Sequence, residues 1–219
     1  MRTLVITTVG KKHCANSWRG ASNDIILISY VHEQVFKYPG IHKEITSRGL
    51  WDYDYYWMPD EDIEATPECV EGLFNEMGAN GLDLAQPSIL RAEDSFPSWD
   101  RFVHRDGDDI IPTDFVEVMC PIFSHDSLKA CIETFPKSMS GYGLDLAWSK
   151  ILEGKSIAII NSITVKHTRP IGTGGLYAEL KKRGILRSQE KKRLMKEYGI
   201  KEHSIWNDNS ADSITPREG

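Results

Sequence analysis

What this 219-residue sequence lacks narrows the field first. Its four cysteines, Cys14, Cys69, Cys120 and Cys131, form no CxxC pair and no zinc-like spacing, which argues against a metal site built on thiolates and predicts reduced, mostly buried thiols. Positive charge is in deficit, with 26 Lys and Arg against 32 Asp and Glu for a net charge of -6, so nothing points to a nucleic-acid partner. No apolar run approaches a membrane span; the most apolar, such as DIILISYV, are strand-sized, and mean hydropathy is -0.38. The amino terminus, MRTLVITTVGKK, enters a strand pattern without a signal-peptide cleavage region, which predicts a cytoplasmic protein. Internal repeats and low-complexity tracts are also missing.

What is present suits a chain that buries a proper core: 40% hydrophobic residues and six Trp. Thr3–Thr8 reads as a first strand. DIILISY, Asp24–Tyr30, reads as a second whose continuous apolar run predicts burial on both faces. Pro39 serves as an early helical residue for GIHKEITSRG, and Gly49 ends that helix. An aromatic strand follows, then a helix with Thr66 as N-cap, Pro67 at its first position and Gly78 as its stop. LDLAQPSIL reads as a short strand broken at Pro87, and the polar stretch Arg91–Pro112 as a substrate-facing loop. TDFVEVMCPIF alternates like a strand, with Ser124 or His125 capping the helix after it. The loop PKSMSGYG opens the helix LDLAWSKILEG. Two strands, SIAII and SITVKH, then lead through the glycine-rich RPIGTGGLY to a basic helical segment. Strands alternating with helices predict an α/β sandwich.

The stretch Trp51–Glu64, WDYDYYWMPDEDIE, concentrates chemistry. Its aromatic strand breaks at Pro59 and ends in Asp60, Glu61 and Asp62. Three adjacent carboxylates repel one another, and a divalent cation offsets that most economically and can hold a diphosphate. Ligand sites of open α/β sheets lie at such carboxyl ends of strands. The bland alternative is a solvated acidic turn. Charge is uneven along the chain: six carboxylates lie between Asp52 and Glu64, while Glu179–Tyr198 carries eight Lys or Arg.

An aromatic strand running into PDED, then AQPS, FVE, SGYGLD and HTRP, in that order, resembles a bacterial group of glycosyltransferase-like proteins, the DUF707 group. More broadly it resembles nucleotide-sugar-dependent glycosyltransferases of the GT-A fold. The resemblance spans about residues 1–180 and implies an α/β/α sandwich with a mixed, mainly parallel central sheet as the catalytic domain. A basic helical extension over 181–206 and a disordered polar tail over 207–219 complete the expected organisation. By resemblance, Asp62 matches the metal-binding aspartate and His167 the late histidine that completes the metal site. Asp60 matches a position near the ribose or the metal's waters, and Glu61 lies between them. Asp145 matches the base that deprotonates the acceptor hydroxyl in inverting members. Thr7, Thr8, Val9 and Gly10 match the region holding the nucleotide base, with Ser29 and Tyr30 a second patch beside it.

Elementary chemistry is consistent with those roles. Loss of a nucleoside diphosphate builds negative charge that a cation stabilises. An oxygen from Asp62 and a nitrogen from His167 suit Mn²⁺, or Mg²⁺, with water and phosphate completing an octahedron. Lys166 and Arg169 flank His167, and IGTGG before a helix offers N–H groups to phosphate. Each residue also has a plainer reading. Asp145 stands at a helix start, where its charge complements the dipole. His167 suits a partly buried strand histidine with a backbone partner. Glu117, Trp99 and Tyr142 are acceptor-side candidates that equally suit a strand's solvent face or the core. Lys37 and Lys43 near Pro39 can approach a phosphate or remain solvated.

The function expected is transfer of a sugar from a nucleotide diphosphate donor to a hydroxyl of a glycan or lipid-linked glycan, metal-dependent and inverting. The basic segment leaves peripheral membrane contact open. The rivals are a non-catalytic nucleotide-sugar or glycan-binding module of the same fold and a metal-dependent phosphohydrolase.

Overall fold

The computed structural model describes residues 1–20, 22–30 and 35–201. In chain order its strands are β1 (Thr3–Val9), β2 (Asp24–Ser29), β3 (Tyr55–Trp57), β4 (Ile63–Glu64), β5 (Leu84–Ile89), β6 (Ile110–Pro112), β7 (Ile122–Ser124) and β8 (Ile157–His167). The helices are α1 (Lys37–Arg48), α2 (Pro67–Ala79), α3 (His125–Cys131), α4 (Leu144–Ile151), α5 (Gly175–Lys182) and α6 (Arg187–Glu197). The strands form one sheet in the order β2-β1-β3-β7-β5-β8-β4, with β6 also on β8. β1 pairs in parallel with β2 and β3, and β5 with β8; β7 is antiparallel to β3 and β5, and β4 and β6 are antiparallel to β8. The sheet is therefore mixed, with β1, β2, β3, β5 and β8 running one way.

Two apolar layers sandwich it. Alternation along β1 sends Leu4 and Ile6 to one face, where they join Ile41 and Ile45 of α1 and Trp148 of α4. Val5 and Val9 go to the other, with Val70, Leu73 and Phe74 of α2. Local chemistry sets the helix ends. The Thr66 side chain accepts from Cys69 N with Pro67 at the first position, Ser124 accepts from Ser127 N, and Gly49 closes α1 in the left-handed region. No described helix is long and apolar enough to cross a membrane.

Several expected elements differ. β2 is the sheet's edge, so its apolar run is only partly covered and Ile28 alone of its residues is buried. Residues 113–121 are irregular instead of a strand, because Glu117 N donates to the Gln86 side chain at 2.6 Å and Asp60 N to Met119 O at 2.7 Å, bonds that no ladder supplies. SIAII and SITVKH form the single strand β8, interrupted by a register shift opposite Pro87 and Ser88; the same bulge keeps Pro87 inside β5 rather than breaking it. α2 passes Gly78 and ends at Ala79. The short β4 was not anticipated. All four cysteines are free, Cys120 and Cys131 buried and Cys14 and Cys69 half-buried. The basic segment folds as α5 and α6, which bury Leu180, Leu194 and Met195 against the rest of the protein. The tail expected over 207–219 lies outside the described residues.

Candidate active site

β4 assembles the site. By pairing Ile63 with His167 it returns the chain directly after the acidic triplet to the end of β8. Thr168 then donates from both N and Oγ1 to Asp62 O, at 3.0 and 2.9 Å, fixing Asp62 beside His167. His167 Nδ1 lies 2.6 Å from Phe96 O, an acceptor, so that nitrogen carries the proton and Nε2 faces Asp62. Nε2 stands 3.5 Å from Asp62 Oδ1, with side-chain exposures of only 8% and 14%.

Burial disfavours charge on both groups. Against it, His167 and Arg169 hold the Asp62 carboxyl below the usual carboxylate range, and Asp62 raises the imidazole above its usual value. Asp62 Oδ1 is buried with no hydrogen-bond partner. Without a cation the two groups pair with each other; with the ring neutral, the carboxylate oxygen and an imidazole nitrogen whose partner nitrogen is already tied to a carbonyl fit a divalent cation by donor chemistry. Among the described residues no group of three or more His, Cys, Asp and Glu is placed to hold a metal.

Glu61 faces the other way and is fully engaged. It accepts from Gly10 N at 2.5 Å, from Arg169 Nη1 at 2.9 Å and from Tyr30 Oη at 3.3 Å. A Cβ on Gly10 would stand 2.3 Å from Tyr30 Oη, so a larger residue there would push the Tyr30 ring from its place beside Glu61. Glu61 thus ties together Gly10, Tyr30 and Arg169, three of the expected donor-binding residues. Arg169 also lies 3.6 Å from Asp62 Oδ2 and donates to Lys12 O. Thr7 is fully buried with its hydroxyl on Pro59 O, Thr8 and Val9 are buried, and Ser29 is half-buried opposite Val9 at the end of β2. Lys166 points away from His167 and pairs with Asp94.

A second cluster lies beside the first. Lys37, at the start of α1, bonds Asp60 Oδ1 at 2.6 Å and the carbonyls of Val118 and Met119; Lys43 is exposed. Tyr38 donates to Val118 O. Glu117 is 7% exposed and its Oε2 has no partner. Burial pushes its carboxyl up to about 8, with Asp145 adding to the rise. Burial likewise raises Asp145 to about 6, opposed by the Leu146 N–H and by Lys191. Asp145 Oδ1 accepts from Leu146 N at 2.9 Å, so the helix-start reading and an electrostatic link to Glu117 hold together. Tyr142 receives a 2.7 Å bond from Arg187, whose guanidinium also lies over the Tyr142 and Tyr177 rings. Trp99 packs half-buried against the core.

Sequence reasoning weighed Lys37 without tying it to Asp60, and it missed Tyr38, Arg187 and Glu190. Nothing marks these from the sequence, since Arg187 and Glu190 sit in a basic run and meet residues far away in the chain. Only the position of Lys37 just before Pro39, at a helix start, was a usable signal.

No family model matches the chain, and no curated protein matches it in sequence. Solved structures do match. S. aureus TarS 1–349 in complex with UDP-GlcNAc aligns with TM-score 0.54 and 9% identity, over 81% of this chain and 61% of that one. GalNAc-T7 with UDP, GalNAc and Mn²⁺ aligns with TM-score 0.55 and 11% identity, over 91% of this chain and 54% of that one. The fold is GT-A. A197 from STIV aligns with TM-score 0.47 and 16% identity over 76% of this chain and 85% of that one. The chain spans 61% and 54% of the two GT-A glycosyltransferase structures. β3 and β8 run the same way, so the acidic turn after β3 and the end of β8 lie at one end of the sheet, where β4 joins them.

Proposed function

We propose that this protein is a metal-dependent glycosyltransferase that moves a sugar from a nucleoside diphosphate to an acceptor hydroxyl with inversion, in glycan or polysaccharide synthesis. The observation that carries the reading is the buried pair of Asp62 Oδ1 and His167 Nε2, 3.5 Å apart, at the carboxyl end of a strand, where open α/β sheets place their ligands. Of the neighbours, GalNAc-T7 was solved with UDP, GalNAc and Mn²⁺, and TarS with UDP-GlcNAc.

In this reading Asp62 and His167 would hold Mn²⁺ or Mg²⁺. The cation supplies stabilisation of the charge that grows on the leaving diphosphate. Arg169, kept close by Glu61, adds a guanidinium suited to phosphate oxygens. Lys37 balances Asp60 so that the triplet carries less uncompensated negative charge toward an anionic donor. Gly10, Ser29 and Tyr30 border the base, with Thr7, Thr8 and Val9 forming the floor beneath. Asp145 takes the proton from the acceptor hydroxyl, and its raised value places it near the pH where a base works well. Glu117, neutral at pH 7, can donate a hydrogen bond to the acceptor side, where Tyr142 and Trp99 offer aromatic faces to a sugar ring. The acceptor class in this reading is a glycan or lipid-linked glycan.

Incubating the protein with a panel of nucleotide sugars and Mn²⁺, and watching for free nucleoside diphosphate, tests this. The expected result is slow hydrolysis of at least one donor that accelerates with a glycan acceptor. Tight donor binding with no release under any acceptor would instead indicate a binding module.

A further inference from the structure

The carboxylate of Glu190, on the basic helix α6, faces the turn that precedes Asp145. It accepts from Met139 N at 2.9 Å, Ser140 N at 2.9 Å, Ser138 Oγ at 3.1 Å and Ser140 Oγ at 2.5 Å. Burial alone would raise this group, but the Ser140, Met139 and Ser138 donors outweigh it and leave its carboxyl below the usual range. One residue on, the backbone of Lys191 lies against the end of the same turn. A Cβ on Gly143 would stand 2.9 Å from Lys191 Cα, and Gly143 has φ +88°, so no other residue fits there unstrained. Gly143 is the N-cap of α4, and Asp145 follows in that helix's first turn. Arg187, one turn earlier on α6, bonds Tyr142 within the same turn. Leu194, fully buried, anchors α6 in the core.

We propose that Glu190 is a positioning residue for Asp145: by gathering the donors of residues 138–140 it fixes the turn that sets where α4 begins and how its first acidic side chain is presented. Helix α6 is on this view part of the acceptor side of the site, not an appendage to it. The catalytic consequence rests on the glycosyltransferase reading; the geometric claim does not. Four donors from three consecutive residues, three of the bonds part-buried, converge on one half-buried carboxylate from a helix about fifty residues away, and so tie that turn to α6 at several points at once. The groups around Asp145 are Lys191 from α6, Glu117 from the irregular segment after β6, and Tyr38 from α1. Glu190→Gln also removes a negative charge near Asp145, whereas Glu190→Asp keeps the charge and shortens its reach, so a change in Asp145 shared by both variants reports the turn.

The test follows the Asp145 carboxyl titration by NMR, assigned with Asp145→Asn, in the parent and in Glu190→Gln. The amide keeps the shape but turns an NH₂ toward the Met139 or Ser140 N–H. Loosening the turn exposes the already half-buried Asp145 further to water, so its midpoint falls from about 6 toward the ordinary carboxylate range. With an active donor, kcat falls by about 10²-fold while nucleoside diphosphate affinity and binding stoichiometry stay at parental values, because the misplaced group is the base and not the donor site. Stoichiometry counts correctly folded sites; Glu190→Asp serves as a milder second variant if Glu190→Gln does not fold, with an expected change in the same direction. An unmoved Asp145 midpoint overturns the proposal whatever turnover does, as does a moved midpoint with parental kcat. A moved midpoint in a protein whose parent neither binds nor turns over any donor leaves Glu190 as the positioning residue and overturns the glycosyltransferase reading instead.

Discussion

Glu117 leaves water on folding and finds no partner for Oε2, and the consequence is a pH dependence with a definite sign. Its folded value of about 8 lies above the ordinary 4.5, so the folded protein holds a proton that the unfolded chain releases. Below pH 4.5 both states are protonated and Glu117 contributes nothing; as pH rises from 4.5 toward 8 it costs stability, on the order of a few kcal/mol at the upper end. Glu117→Gln, which mimics the protonated acid, should therefore raise the melting temperature at pH 8 and leave it unchanged near pH 4.5; a parental melting temperature at pH 8 would contradict the burial argument. Asp145 separates function from stability. Asp145→Asn should lower transfer by roughly 10²–10⁴-fold with donor affinity kept. In the parent, kcat/KM should fall as pH drops through about 6, where Asp145 takes up its proton. If Asp145 served the helix dipole alone, the same variant would lose about 0.3–1 kcal/mol of stability and keep its turnover.

At the scale of elements, the strands and helices that carry the fold were legible because their signals are local. Pro67 after Thr66, Gly49 after a helical pattern and the apolar run of β1 each state their own structure. The two-residue β4 has no periodicity to read, yet its pairing with β8 is what brings Asp62 to His167. The irregular 113–121 segment alternates like a strand because its apolar residues fill both core layers while its backbone bonds go to Gln86 and Asp60. Glu61 looked like a donor-site residue in the sequence, and its use as a tie for Gly10, Tyr30 and Arg169 depends on contacts from three distant segments. Basic composition likewise hid the burial of α6. Leu194→Ala should cost about 2–5 kcal/mol in denaturant unfolding, as a fully buried leucine does, whereas a solvated helix would lose almost nothing.

Across the whole molecule, the parallel β3 and β8 bring the acidic turn and His167 to one end of a single mixed sheet, and the proposed function depends on that end holding a cation and a diphosphate together. Calorimetric titration of a panel of nucleoside diphosphates into the parent and into Asp62→Ala, each with and without Mn²⁺, tests this most directly. The account predicts that at least one nucleoside diphosphate binds the parent far more tightly with Mn²⁺ than without it, and that Asp62→Ala folds normally but loses the metal-dependent increment. Equal metal-dependent binding in Asp62→Ala, or no metal-dependent binding of any nucleoside diphosphate to the parent, would contradict it.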